Sequence, residues 1–286
     1  MLEKFRRKIA NQKSFSDKIS FVTGGASGIG QAICLELGCR DSVVIVADKD
    51  LKGAQETGRK LEKIGKVGEA VFLDISNEQQ FHDALCSVVK RYGRLDYLFN
   101  VAGISLVSEI RDIESQKWKD VIDVNMMGTV YGSKMAYDIM LRQGYGHIVN
   151  IASAAGLMAQ PTTFAYTMSK HAIVGFTKCL IAEARDFNVD VTLVCPGYVQ
   201  SNIFTSCELV NVAREDIIAL VPFNPMDTAK AAAKVVHGVS KRKQIVVFPF
   251  HAKFAWALCR MFPSLSIRMT GPALREFRKV RRETSR

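Results

Sequence analysis

The 286-residue sequence predicts an α/β fold: one doubly wound, parallel, seven-stranded sheet with helices on both faces. Three observations carry that expectation. Short β-branched runs alternate with longer segments of helical periodicity, and a glycine-rich turn directly follows the first run. Apolar residues make up 48% of the chain against 23% charged, which leaves ample material for a buried core.

The expected strands, in order, are residues 19–23, 43–47, 67–73, 97–101, 147–151, 189–195 and 244–248. Between them, helical patterns occupy residues 29–38, 51–64, 78–92, 118–142, 165–187 and 228–239. No internal repeat or low-complexity tract interrupts this alternation, so residues 17–250 read as a single domain. Residues 1–16 form a basic N-terminal segment, and residues 251–286 form a basic amphipathic C-terminal extension bounded internally by Pro249 and Pro263.

Formal net charge is +11, and its location matters more than its size. Residues 1–13 hold five Lys/Arg against one acid, and residues 240–286 hold twelve against two. The intervening residues 14–239 carry 22 bases and 25 acids, so the body is slightly acidic and offers no nucleic-acid groove. Seven cysteines are scattered without a C-x-x-C pair, which fits neither a disulfide framework nor a zinc site and points to a reduced, cytoplasmic setting. The five histidines have no metal-ligand spacing, so no metal is expected. The basic N-terminus lacks the apolar h-region of a secretory signal, and no run reaches the ~18 apolar residues of a spanning helix.

The turn after the first strand reads Thr23-Gly-Gly-Ala-Ser-Gly-Ile-Gly30. A strand, then Gly24-x-x-x-Gly28-x-Gly30, then a helix is the arrangement in which a loop without Cβ atoms lets a pyrophosphate approach the backbone at a helix N-terminus. Asp48 ends the next strand, 18 residues beyond Gly30, where a carboxylate can accept both ribose hydroxyls; the alternative is a turn residue. Tyr166 and Lys170 are four apart and share one helix face, so an ammonium can lie near a phenol and favour its ionised form.

With these residues the chain resembles the short-chain dehydrogenase/reductase family over roughly residues 17–250. Five further features agree in order: Asp74 after the third strand, NVAG at residues 100–103, Asn125 in DVNMMG, Ser153 ahead of Tyr166-x-x-x-Lys170, and PGYVQS at residues 196–201. The resemblance implies a Rossmann-type fold and an oxidoreductase in which hydride passes between a substrate carbon and a nicotinamide. It implies Tyr166 as general acid/base, Lys170 beside the phenol and cofactor ribose, Ser153 on the substrate oxygen, and Asn125 in a proton relay. Expected along the cofactor are Thr23, Gly24, Ser27, Gly28, Ile29, Gly30, Asp48, Asp74, Ile75, Asn100, Ala102, Gly103, Tyr166, Lys170, Pro196, Gly197, Val199 and Ser201. Asp74 has a helix cap as its alternative role. The family more often has Asn at Val101 and Thr at Ser201.

Because an acid at the end of the second strand repels a 2′-phosphate, and Ala26 and Ser27 are not basic, the expected cofactor is NAD rather than NADP; Lys49 beside Asp48 softens that preference. A variable lid over residues 198–225 supplies Ile203 and Phe204, and the segment after Ser153 supplies Leu157, Met158 and Phe164. These apolar side chains suit a lipophilic alcohol or ketone, such as a steroid, retinoid or fatty-chain carbonyl. The resemblance also implies a homodimer or homotetramer. Residues 248–269 mix Phe, Trp, Leu and Met with Lys253, Arg260 and Arg268, a pattern that suits either a membrane interface or a neighbouring subunit. Two other functions remain at this stage: an NADPH-dependent carbonyl reductase, and a non-catalytic nucleotide-binding sensor or scaffold.

Overall fold

The structure, a computed structural model, describes residues 14–200, 207–220 and 224–282. Its main sheet has seven strands, all parallel: β1 (Ile19–Thr23), β2 (Val43–Asp48), β3 (Gly68–Phe72), β4 (Tyr97–Asn100), β6 (Gly146–Ile151), β7 (Val189–Pro196) and β9 (Ile245–Phe248). They lie side by side in the order β3-β2-β1-β4-β6-β7-β9, so the winding direction reverses between β1 and β4. In open sheets of this kind, ligands bind beyond the carboxyl ends of the strands at that reversal.

The inner strands are largely apolar on both faces because both are covered, whereas the edge strand β3 is only half-buried. On one side Val22, Val44, Val46, Phe99, Val149 and Val194 pack under α1 (Gly28–Gly38) and α8 (Thr228–Ser240) through Ile33, Leu37, Val235 and Val239. On the other, the alternate residues Phe21, Ile45, Leu98 and Ile148 meet α3 (Glu78–Tyr92), α5 (Gly128–Gln143) and α6 (Phe164–Glu183) through Phe81, Leu85, Met140 and Leu180. Strand alternation therefore divides one sequence run between two cores.

Further helices are α2 (Leu51–Lys63), α4 (Ser115–Val121), α7 (Arg214–Ala219), α9 (Phe250–Met261) and α10 (Pro263–Val280). Asp50 caps α2 by accepting from Gly53 N, and Asn77 caps α3 by accepting from Gln80 N. The continuous helix expected over residues 118–142 is instead interrupted. A π-helical turn, Ile122–Met127, separates α4 from α5 and carries Asn125. A small pairing that the sequence did not announce joins β5 (Leu106–Val107) to β8 (Glu208–Leu209), tying the described part of the lid region to the body.

The C-terminal extension folds back onto its own chain. Arg278 Nε meets Glu109 Oε1 at 2.6 Å, and Arg281 makes two contacts of 2.9 Å with Asp112. Phe277, only 3% exposed, is buried with Val107 and Cys207. The Arg278 hydrogen bond holds the Glu109 carboxyl below its usual range, and Arg281 does the same for Asp112. All seven cysteines are free thiols, and no described helix is long and apolar enough to cross a membrane.

Candidate active site

A cavity of about 700 Å³ opens beyond the carboxyl ends of β1, β2, β4, β6 and β7. One end is the glycine turn. Gly24 has φ +70°, and a Cβ there would lie 2.8 Å from the Ala102 Cα, so the turn can pass close to the end of β4 only without a side chain. Thr23, whose hydroxyl accepts from Val101 N at 3.0 Å and Ala102 N at 3.2 Å, locks the ends of β1 and β4 together. Gly28, at φ +54°, starts α1 directly after the extended Ser27, leaving the first-turn amides of α1 facing the cavity end.

Asp48 stands at the end of β2 on the cavity wall. Its Oδ2 accepts from Ala26 N at 3.1 Å and its Oδ1 from Asp50 N at 2.9 Å, so the carboxylate is held in place with lone pairs remaining for further donors. Lys49 lines the same wall. Further along lie Asp74 and Ile75, then Val101, Ala102 and Gly103, and on the far side Pro196, Gly197 and Val199. Asp74 Oδ1 accepts from Ser76 N and the Ser76 hydroxyl, so it orders the turn before α3 while Asn77 performs the capping.

These features fit a dinucleotide. The side-chain-free turn, the open helix N-terminus and the anchored carboxylate suit a pyrophosphate and a ribose diol, while Ile75, Val101 and Val199 offer apolar walls.

The catalytic candidates converge at the middle of the cavity. Ser153 follows β6 in extended conformation, its Oγ accepting from Ala155 N at 3.1 Å. Tyr166 and Lys170 sit in the first two turns of α6. Gly156 lets the turn after Ser153 press against that helix, since a Cβ there would lie 2.5 Å from the Lys170 carbonyl oxygen. The Ser153 hydroxyl lies near enough to the Tyr166 phenol to favour its ionised form, and Lys170 Nζ lies 5.5 Å from the Tyr166 ring centre while donating to Ile151 O at 2.9 Å.

Asn125 is fully buried behind them. Its Oδ1 accepts from Ile104 N at 2.8 Å, and its Nδ2 donates to Ile104 O and to Ser169 Oγ, the neighbour of Lys170. The π-helical turn thus clamps the strand exit carrying Gly103 to the helix carrying the lysine.

Burial sets the protonation states. It raises the Tyr166 phenol above its ordinary value, opposed by the nearby Ser153 hydroxyl. It lowers the Lys170 ammonium to about 8. The four-residue spacing predicts a phenol brought down by the lysine charge; in the closed protein interior, loss of water is instead the largest effect on both groups.

Other expectations are revised. Asn100 does not line the cavity: its amide donates to Ser133 Oγ at 3.1 Å and Asn150 Oδ1 at 2.9 Å, because at the end of β4 it points into the α5 and β6 interior. Leu157 packs with Ile173 and Leu193 rather than on the cavity wall, and Phe164 is likewise absent from that wall, whereas Met158 is on it. Ser201, Ile203 and Phe204 lie outside the described residues.

What sequence reasoning missed is the far wall. Ala252, Ala255 and Cys259 of α9 line the cavity, as do Ala273, Leu274 and Phe277 of α10. A signal was present: Ala252, Ala255 and Cys259 are spaced as a stripe of small residues opposite the bulky Phe250 and Phe254, as a helix face packed close to something must be.

Such a site, at the reversal point of a parallel sheet, has the shape and lining that a dinucleotide-binding oxidoreductase needs. Comparison with known proteins agrees. Residues 18–209 match the family model described as short chain dehydrogenase. The chain is 32% identical over 195 residues to the CLA biosynthesis dehydrogenase/reductase of Lactiplantibacillus plantarum, covering 67% of this chain and 68% of that one. It is 27% identical over 285 residues to dehydrogenase/reductase SDR family member 7B of Danio rerio, covering 96% and 92%. A short chain dehydrogenase/reductase of Burkholderia phymatum, solved in complex with NAD, superposes with a TM-score of 0.81 at 24% identity, covering 88% of this chain and 95% of that one. The protein belongs to the short-chain dehydrogenase/reductase family.

Proposed function

We propose that the protein is an NAD(H)-dependent oxidoreductase that interconverts a lipophilic secondary alcohol and its ketone. One observation carries the proposal: Ser153, Tyr166 and Lys170 line one cavity that is glycine-lined at the Asp48 end and mostly apolar at the other.

Bound along the glycine turn and Asp48, the cofactor would supply or accept a hydride at its nicotinamide ring. The chain's own residues do the rest. Ser153 and Tyr166 present two hydroxyls to one substrate oxygen and fix its position. In reduction Tyr166, kept protonated by burial, donates its proton to the oxygen as negative charge develops there. In oxidation it must receive that proton as phenolate, a form that the nearby Ser153 hydroxyl favours and that a neighbouring positive charge such as Lys170 stabilises. Asn125, through Ile104 and Ser169, acts as a positioning residue for the lysine.

The Asp48 carboxylate supports NAD, since a 2′-phosphate would meet its charge; Lys49 on the same wall is the feature that would favour NADP. Val107, Met158, Ile217, Leu220, Leu274 and Phe277 give the substrate end its apolar character, and among the described residues no carboxylate or guanidinium lines that end. Fluorescence titration with NADH and NADPH, followed by turnover against steroids, retinoids, fatty alcohols and sugars, tests the proposal. Tighter NADH binding and turnover of an apolar alcohol support it. Tighter NADPH binding would overturn the cofactor assignment, and NAD binding without turnover of any substrate would favour a sensor.

A further inference from the structure

Five of the exposed large apolar side chains fall between residues 250 and 267: Phe250, Phe254, Met261, Phe262 and Ile267, each more than half exposed. Their distribution on α9 is ordered. Phe250, Phe254 and Met261 are spaced by four and seven residues and share one face, at about 100° per residue. Ala252, Ala255 and Cys259, on the opposite face, line the cavity. The helix is thus apolar on two opposed sides, with its small side packed inward and its large side facing out. Phe262, at the junction, and Ile267, early in α10, are exposed as well.

Charge identifies what suits this patch. From residue 249 to residue 275 the sequence contains no acid, whereas Lys253, Arg260, Arg268 and Arg275 are exposed along it. This C-terminal cap, α9 with the acid-free part of α10, is therefore basic beside a slightly acidic body. Large aromatic and aliphatic side chains flanked only by cations match an anionic lipid surface, where the apolar groups enter the acyl boundary and the cations meet phosphates. A second copy of the chain would bring a like-charged face against this one, at an electrostatic cost.

We propose that α9 and the start of α10 dock the protein on an anionic lipid bilayer, and that the cap is therefore a wall shared between membrane and active-site cavity. A helix is only ~10 Å across with its side chains, so a substrate dissolved in the lipid lies within one helix width of the apolar end of the cavity. Docking stands on the cap alone. Loading of the cavity from the bilayer additionally rests on the proposed redox reaction with a lipophilic substrate.

Co-sedimentation of the full chain with vesicles of phosphatidylcholine, and of phosphatidylcholine with phosphatidylglycerol, separates the two. The native protein should pellet with the mixed vesicles, and less so in high salt. The triple variant Phe250→Ser/Phe254→Ser/Met261→Ser should lose about tenfold or more of the vesicle partition coefficient. The charge variant Lys253→Glu/Arg260→Glu/Arg268→Glu, whose sites are solvent-facing, should lose about as much, and only on the anionic vesicles. Unchanged circular dichroism and thermal midpoint verify the fold of each variant. Absence of pelleting, equal pelleting of the native protein and both variants, or a concentration-dependent dimer abolished by the triple variant would overturn docking. If docking holds and no lipophilic alcohol is turned over in the presence of vesicles, the redox proposal fails instead.

Discussion

Lys170 offers a sharp test of how this site is built, because its burial has a calculable cost. The ammonium has fallen from 10.5 to about 8, chiefly through loss of water, and its side chain is only 4% exposed. At ~1.4 kcal/mol per tenfold change in proton affinity, that gap is worth ~3 kcal/mol against the folded state. The sign follows from proton counting. Below pH 8 both folded and unfolded chains hold the proton and the full penalty applies; between about 8 and 10.5 only the unfolded chain holds it, so stability rises with pH. Lys170→Met keeps the volume and removes the charge, while losing the hydrogen bond to Ile151 O, worth about 1 kcal/mol. The apo variant should therefore be more stable than the native protein by ~2 kcal/mol at about pH 7, raising its melting midpoint by roughly 4 °C or more. By about pH 10 the advantage should have disappeared. Thermal unfolding followed by circular dichroism at both pH values measures this. A variant less stable at the lower pH, or a difference that ignores pH, would refute the claim that the buried lysine is held at a cost in stability.

Three further outcomes follow from other parts of the site. Asp48→Asn removes the charge that opposes a 2′-phosphate and should shift the NADPH-to-NADH affinity ratio about tenfold toward NADPH, read by fluorescence titration. Gly24→Ala places a Cβ 2.8 Å from the Ala102 Cα at a positive φ, and should cost ~1–3 kcal/mol in a thermal melt together with most of the NADH affinity. Phe277→Ala empties a buried site, a change that typically costs ~3–5 kcal/mol, and should loosen the cap rather than the sheet. Hydrogen exchange should then accelerate in α9 and α10 with β1, β4 and β6 unchanged.

The sheet was legible because its signal is local. Each of the seven strands is a short apolar run, and each was placed to within about a residue or two of its observed bounds. The glycine turn, Asp48, Ser153, Tyr166 and Lys170 were legible because their chemistry fixes both residue type and spacing, and the cavity brings all of them together. Asn125 was found as a residue, but not its π-helical setting, since one extra residue in a helical turn leaves the apolar periodicity almost intact. Asn100 shows a limit of another kind: a polar residue at a strand end can turn toward the site or the core, and the hydroxyl and amide partners Ser133 and Asn150 come from distant sequence. The C-terminal wall was hidden for the same reason. Amphipathicity marked α9 as two-faced, but the clasp that turns its small face inward depends on Glu109 and Asp112, about 170 residues earlier.

The most direct test of the catalytic account is Tyr166→Phe, assayed on the best substrate from the alcohol panel with cofactor affinity measured in parallel. The ring stays and only the hydroxyl goes. Turnover should fall by at least ~10²-fold while NADH affinity stays within a few-fold of the native value. Undiminished turnover by the phenylalanine variant would contradict the assignment of proton transfer to Tyr166.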